Sequence, residues 1–180
     1  MLGTVDPKWT RMFRLRFPER EIEYWASRYS YAGEEEIENR VAPAARKRGY
    51  LTRQEFLQLC RWKTPRSAPR CALNDEDFVR AVTEASLRSR NEEFKIRVLG
   101  VLRGVAWPTA SVILHWCDRG QYPILDYRAL WSLSLEVPSQ YDFPFWSRYC
   151  AYARELAART GLSMRAVEQA LWQYSKENQG

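Results

Sequence analysis

The residues that most clearly indicate a functional site lie in a short, glycine-containing turn between two apolar helices. The run from Leu102 to Leu114 reads LRGVAWPTASVIL, an apolar helix end followed at once by a new helix. Gly104 permits backbone torsions closed to other residues, and Pro108 at the first helical position forfeits an N–H group that would be unpaired there. The proline also disfavours a helical conformation at Trp107. Exposed N–H groups at such a helix start predict a phosphate site, although a plain αα-hairpin between packed helices favours the same residues.

A basic segment precedes this turn. Between residues 46 and 70, eight Lys and Arg residues stand against a single acid, Glu55. The whole chain has 28 Lys and Arg against 22 Asp and Glu, which gives a formal charge of +6 and favours a polyanionic partner. An ordinary charged surface is the competing interpretation. The residues of this segment that we expect to contact phosphates are Arg61, Lys63, Arg66 and Arg70.

A second motif follows in the run QYPILDYRAL, from Gln121 to Leu130. Asp126 lies directly before a helical pattern, where its carboxylate can accept hydrogen bonds from free backbone N–H groups. Leu125 and Leu130 stand on either side of it at the positions of a hydrophobic staple. The pattern therefore predicts that Asp126 caps a helix.

Together the two motifs resemble the helix-hairpin-helix superfamily of base-excision DNA glycosylases. In that family a turn of the type Leu-Pro-Gly-Val-Gly opens a helix beginning near Thr-Ala, and an Asp follows at the start of the next helix. The matching residues here are Leu102, Gly104, Val105, Thr109, Ala110 and, 17 positions after Thr109, Asp126. The resemblance covers about 30 of 180 residues and implies binding of duplex DNA. The expected contact residues in the hairpin are Arg103, Gly104, Val105, Ala106, Trp107 and Thr109.

The resemblance also implies that Asp126 is the catalytic carboxylate. Removal of a base from its sugar builds positive, oxocarbenium-like charge on the deoxyribose, which a fixed carboxylate stabilises while it orients or deprotonates a water molecule. Two opposite charges about 4 Å apart attract by about 4 kcal/mol at an effective dielectric constant near 20. A role limited to helix capping is the alternative, and the two roles are compatible.

Departures from the family pattern restrict this expectation. Arg103 stands where the family has Pro, and Ala106 replaces the second Gly. Members with lyase activity carry a Lys where this chain has Pro108, and proline has no amine for a Schiff base. The four-cysteine iron–sulfur loop of some members is missing, because the cysteines are too widely spaced. We therefore expect a monofunctional, hydrolytic glycosylase without a cofactor or metal.

An enzyme that extrudes a base needs a pocket lined by aromatic side chains. The candidates for that pocket are Tyr122, Tyr127 and Trp131, with core packing as the competing interpretation. His115 is the only histidine, which excludes sites with several histidine ligands, and on an apolar helix we expect it to be a packing residue. The four cysteines are expected to be reduced and mostly buried. They are Cys60, Cys71, Cys117 and Cys150.

The elements that position these residues are expected to be helices throughout, because helix caps and stops recur while alternating, strand-like runs are hard to find. We predict an all-α, compact multi-helix domain over residues 1–180, with the helix-hairpin-helix and Asp segments within 94–135. A basic stretch with two prolines near 63–73 predicts a hinge between two lobes.

Several local predictions follow from caps and spacing. Thr52 and Glu55 have the form of a capping box, Ser163 caps the last helix, and Gly49 and Gly161 end helices. A helix from about residue 34 to 48 is expected to bend near Pro43. Another is expected to begin at an Asn74 cap with Phe78, Val82, Ala85 and Leu87 on one side. The next, from about residue 92, should place Phe94, Val98, Val101 and Leu102 near one face, and a later one should run from 145 to 158.

Three functions are therefore open at this point. The leading one is a DNA-binding, hydrolytic glycosylase; the second is a DNA-binding protein without catalysis; the third is a helical protein–protein adaptor. The charged first 18 residues and the absence of a long apolar run predict no secretory signal and no membrane anchor. We expect an intracellular protein, cytoplasmic or, if it binds DNA, associated with the nucleoid.

Overall fold

The computed structural model describes residues 12–180, and within this range the protein is all-helical, as predicted. Residues 1–11, part of the segment considered for a secretory signal, lie outside the described range. The helices, numbered in chain order, are α1 (Ile22–Ser27), α2 (Glu34–Glu36, continued by a π-helical Ile37–Val41 and by Ala42–Arg48), α3 (Arg53–Lys63), α4 (Ala68–Cys71), α5 (Glu76–Arg88), α6 (Glu92–Leu99), α7 (Trp107–Cys117), α8 (Tyr127–Ser132), α9 (Phe143–Thr160) and α10 (Met164–Asn178). Short 3-10 turns at Glu19–Glu21 and Pro65–Ser67 precede α1 and α4.

The chain divides into two units. The central unit is Tyr31–Ile124 and contains α2 to α7. The terminal unit is discontinuous, since it combines residues 12–30 with residues 125–180 and contains α1, α8, α9 and α10. The stretch 63–73, which was predicted to be a hinge, lies inside the central unit. Along the described chain, no helix combines the length and the apolar character needed to cross a membrane.

In the central unit, α7 forms the middle of the core. Eight of its eleven residues are buried, and it packs against α2, α3 and α6. A helix that is buried nearly all round is apolar on every face, which explains why α7 shows little amphipathic pattern. The predicted capping box at Thr52 and Glu55 opens α3, and Gly49, with φ of +83°, ends α2. The π-helical turn of α2 directly precedes Pro43, whose ring removes a helical N–H.

In the terminal unit, α10 packs against α1, α8 and α9. Its buried face carries Val167, Ala170 and Leu171. The predicted caps at Asp126 and Ser163 are both present, and Gly161 ends α9 with φ of +70°. The helix α9 begins at Phe143, two residues earlier than expected, because the Asp142 side chain accepts a hydrogen bond from the Phe145 N–H.

The predicted cap of α5 is wrong by one residue. The residue that caps α5 is Asp75, whose carboxylate accepts a hydrogen bond from the N–H of Phe78 at 2.8 Å. The predicted inner face is also wrong in part, because Phe78 and Ala85 are exposed and Val79 is buried instead. Asn74 does not cap this helix, and its side chain has a different role, described below.

Two expectations around α6 and α7 also need correction. The side chains of Phe94 and Val101 are exposed, and the buried side of α6 carries Ile96 and Leu99. Trp107 is the first residue of α7, so Pro108 occupies the second helical position rather than the first. Proline is tolerated there because an N–H in the first turn has no partner within the helix.

Candidate nucleic-acid interface

The connection between α6 and α7 is a succession of hydrogen-bonded turns, which we call the hairpin turn (residues 100–106). The N–H of Leu102 donates to the carbonyl of Leu99 at 3.2 Å, and the N–H of Val105 donates to the carbonyl of Leu102 at 3.1 Å. Gly104 has φ of +82°, in the left-handed region that favours glycine. Because Leu102 and Val105 are both buried, packing fixes the backbone on either side of this glycine.

A buried asparagine fastens the hairpin turn to the end of the basic segment. Asn74 is only 3% exposed. Its side-chain nitrogen donates to the carbonyl oxygens of Cys71 at 2.8 Å and Arg103 at 2.9 Å. Its side-chain oxygen accepts from the N–H of Arg103 at 2.9 Å. One side chain therefore joins two segments that are 29 residues apart in sequence, and the sequence carried no signal for this role.

Gly104 lies directly against the same segment. A Cβ atom at this position would stand 2.8 Å from both the backbone nitrogen and the Sγ of Cys71, and 3.1 Å from the Cβ of Arg70. Such distances are below van der Waals contact, so only glycine fits here without a shift of the backbone. The contact places Arg70 beside the hairpin turn that carries Arg103.

Four arginines of this region are exposed and lack acidic partners in the described part of the chain. Arg61, Arg66, Arg70 and Arg103 are all exposed, and none of them forms an ion pair with any residue in the range 12–180. Arg66 precedes Arg70 by four residues in a helical stretch, so both lie near one side of it. Lys63 is half-buried at the end of α3. We call Arg66, Arg70 and Arg103 the basic turn face.

The hairpin residues named from the sequence differ in their exposure. Ala106 is exposed and Trp107 is half-buried, while Val105 and Thr109 are buried. The hydroxyl of Thr109 lies 3.4 Å from that of Thr64, so this side chain ties the start of α7 to the residue after α3. No side chain caps the start of α7 within the described chain. Val105 and Thr109 therefore support the turn from inside rather than from its surface.

A depression of about 430 Å³ lies beside the hairpin turn, between α6 and α7. Its lining includes Ile96, Val101 and Val105, together with Arg97 and Trp107. Arg97 is paired with Glu93 on the same helix at 2.7 Å. The lining of the depression therefore combines apolar side chains with polar atoms, and its cation, Arg97, is paired.

Asp126 lies in the terminal unit, where it caps α8. Its Oδ1 accepts a hydrogen bond from the N–H of Arg128 at 2.9 Å, and the side chain is half-buried. Two tyrosines lie within its electrostatic reach. Burial raises the pKa of Tyr141, and the negative charge of Asp126 raises it further. The pKa of the fully buried Tyr149 is raised by burial first, then by the charges of Glu168 and Asp126. Asp126 is thus a fixed carboxylate beside neutral phenols.

The three pocket candidates occupy different surroundings. Tyr122 is buried in the central unit, and its carbonyl lies 2.8 Å from the Nδ1 of the half-buried His115. Trp131 is half-buried, with its ring 5.9 Å from that of Tyr174 and under the guanidinium of Arg16 at 4.4 Å. Tyr127, in contrast, is 50% exposed. Tyr122 and Trp131 are packing residues in this arrangement, whereas the Tyr127 ring is open to solvent.

All four cysteines are buried, and none of them forms a disulfide within the described chain. Burial raises the pKa of Cys60, and the neighbouring Cys71 thiol raises it further. Burial also raises the pKa of Cys117 to about 12. The Cys60 and Cys117 thiols are therefore protonated near neutral pH. Across residues 12–180, no cluster of three or more His, Cys, Asp or Glu side chains has an arrangement that could hold a metal ion.

Comparisons of the chain with protein-family models, with curated proteins and with solved structures find no match.

Proposed function

We propose that the protein binds duplex DNA through the hairpin turn and the basic segment beside it. The observation that carries this proposal is the double attachment of the two segments, by the Asn74 side chain and by the contact of Gly104 with Arg70 and Cys71. This attachment holds the exposed Arg70 next to the exposed Arg103. The fold thus joins the two parts of the sequence that were independently expected to contact phosphates.

Phosphate binding is the chemistry that this arrangement fits. Exposed guanidinium groups without acidic partners neutralise phosphates without first breaking an ion pair, and they form bidentate hydrogen bonds with phosphate oxygens. Contacts of this kind fix the position of a protein on DNA without reading its sequence. We therefore expect binding with little sequence preference.

The test is fluorescence anisotropy with a labelled duplex at several salt concentrations. Replacing Arg66, Arg70 and Arg103 together by Gln should weaken binding by about 100-fold or more near 0.1 M salt and reduce the slope of log K against log salt by about 2 to 3. Arg90→Gln is the matched control, since Arg90 is exposed in the same unit, before α6, at the end opposite the hairpin turn. If the triple variant and the control bind the duplex with equal affinity, the duplex does not bind at this face. That result would favour a helical protein–protein adaptor instead.

We further propose that the DNA-bound protein removes a damaged or modified base by hydrolysis, with Asp126 as the carboxylate. The resemblance described above supports this role, and so does the fixed position of Asp126 at the start of α8. A carboxylate held by a backbone N–H can stabilise the positive charge that develops on the sugar and accept a proton from the attacking water. Pro108 stands where lyases of the family have their amine, so the product is an abasic site with an intact strand.

The second test uses a panel of duplexes, each with one damaged or modified base, and scores strand breaks after alkali. The wild type should produce abasic sites on at least one duplex, and Asp126→Asn should reduce the rate by about 100-fold or more. Asn preserves the cap, since Asn and Asp are equivalent there, so the thermal unfolding midpoint should change little. No product on any duplex, with salt-sensitive binding intact in both proteins, would contradict the excision proposal and leave a non-catalytic DNA-binding protein.

A further inference from the structure

One surface of the terminal unit carries a connected series of cations and aromatic rings. The guanidinium of Arg165 lies 5.0 Å from the ring of Tyr29 and bonds to its hydroxyl at 3.1 Å. The Tyr29 ring lies 5.3 Å from that of Trp172. Arg128 then lies 5.6 Å from Trp172 and 5.1 Å from Tyr127. We call these residues, together with Lys176, the cation–aromatic ladder.

The spacing of α10 explains why the ladder forms there. Arg165, Trp172 and Lys176 follow one another at intervals of seven and four residues, so they lie on one side of the helix. The ammonium group of Lys176 lies 5.0 Å from the Trp172 ring. The buried face of the same helix carries Val167 and Leu171, whereas Arg165 and Trp172 are half-buried and Lys176 is exposed. The ladder therefore lies at the border between the core and the surface, with Tyr127 and Lys176 as its exposed members.

Charge and exposure make the ladder available to a ligand. Tyr127 is half exposed, and Lys176 is exposed. Arg165 lies 3.4 Å from the Glu168 carboxylate, but Arg128 and Lys176 form no ion pair with any residue in the described part of the chain. Arg128 and Lys176 therefore lie over aromatic rings and have no carboxylate partner in the described part of the chain.

We propose that this ladder is a second DNA-binding site, one that takes unpaired bases of a single strand. Arg128 lies 5.1 Å from the Tyr127 ring and 5.6 Å from the Trp172 ring, so a cation that suits a phosphate stands beside rings that suit bases, the two groups that alternate along a single strand. Bases in an intact duplex are stacked on one another and cannot lie on a protein ring. An acidic peptide would engage the cations but leave the exposed Tyr127 ring without a partner. The proposal is independent of the hairpin turn, which lies in the central unit.

The experiment compares two labelled single strands of about twelve units by fluorescence anisotropy, an oligothymidine and a base-free oligomer of the same length in which each sugar lacks its base. The full-length protein should bind the oligothymidine roughly tenfold or more tightly than the base-free strand. Tyr127→Ala should remove most of that difference. Lys176→Gln should weaken the binding of both strands, because it removes a phosphate contact.

Two controls make the outcomes distinct. Phe78→Ala removes another exposed ring, 40% exposed against 50% for Tyr127, from the central unit and should change neither affinity. The Arg66, Arg70 and Arg103 triple variant should lose duplex binding but keep its preference for oligothymidine. Equal affinity for the two strands, or an unchanged preference in Tyr127→Ala, would overturn the ladder proposal. Loss of single-strand binding in the triple variant alone would overturn it as well, since the strand would then bind at the hairpin turn.

Discussion

Replacing Gly104 by alanine is expected to destabilise the protein by roughly 2–4 kcal/mol. Part of this loss comes from the left-handed backbone, with φ of +82°, which disfavours any residue with a Cβ. The remainder comes from the contact, because the new Cβ would meet the backbone nitrogen of Cys71 at 2.8 Å, and a backbone atom cannot rotate away. The basic turn face would separate or distort as a result, so duplex binding should fall in the folded variant too.

Gly161→Ala is a matched control for this experiment. Gly161 also has a left-handed backbone, with φ of +70°, but nothing lies within 4 Å of the position its Cβ would take. Urea denaturation should therefore show a loss of only about 1–2 kcal/mol for Gly161→Ala. The difference between the two variants measures the contact between the hairpin turn and the basic segment. Equal losses in the two variants would mean that this contact contributes nothing.

Replacing Lys95 by methionine is expected to cost about 3–5 kcal/mol of unfolding free energy. The Lys95 ammonium group is bonded to the carboxylate of Asp118, and the two side chains are only 8% and 7% exposed. The Asp118 Oδ1 also accepts from the N–H of Gly120 at 2.7 Å. Removal of the ammonium group leaves a buried carboxylate without its counter-charge at the end of α7, and an uncompensated buried charge is strongly unfavourable.

The double variant Lys95→Met with Asp118→Asn tests this reason directly. Asn removes the buried charge and can still accept the hydrogen bond from Gly120. The double variant should therefore recover much of the stability lost in Lys95→Met, as measured by urea denaturation. If the two losses simply add, the cost arises from packing of the Lys95 chain rather than from the unpaired carboxylate.

Local signals in the sequence predicted the helix ends well. Thr52, Asp126 and Ser163 cap helices, and Gly49 and Gly161 end them, because each acts through backbone groups within a few residues. The same recurring helix caps and helix-ending glycines predicted the all-helical class. These features need no knowledge of what packs against the helix.

The wrongly predicted helix caps and buried faces are those that depend on contacts between segments distant in sequence. Asn74 looked like a helix cap, but its side chain is bonded to Arg103, 29 residues away, and Asp75 caps the helix instead. Phe78 and Phe94 were placed on inner faces because of their apolar character, and both are exposed. The discontinuous terminal unit could not be predicted either, because it joins the two ends of the described chain.

The candidate site shows the same division. The sequence named the basic segment and the hairpin turn separately, but their attachment through Asn74 and the Gly104 contact depends on tertiary structure. The residues that the sequence named as DNA contacts also differ in solvent exposure, since Thr109 is buried under the turn whereas Arg103 is exposed. The cation–aromatic ladder brings together segments near residues 29, 128 and 172, and no local pattern could indicate it. The role of Asp126 in catalysis stays a prediction.

The measurement that tests the central claim most directly is an NMR titration of the ¹⁵N-labelled protein with a short duplex. If DNA binds at the proposed face, the amide signals of Gly104, Ala106 and Arg70 should shift progressively, and the shifts should diminish as salt is raised. The amide of Arg90, at the other end of α6, should stay unchanged. Saturable shifts confined to residues outside 61–74 and 100–107 would contradict the claim, because the duplex would then bind elsewhere on the protein.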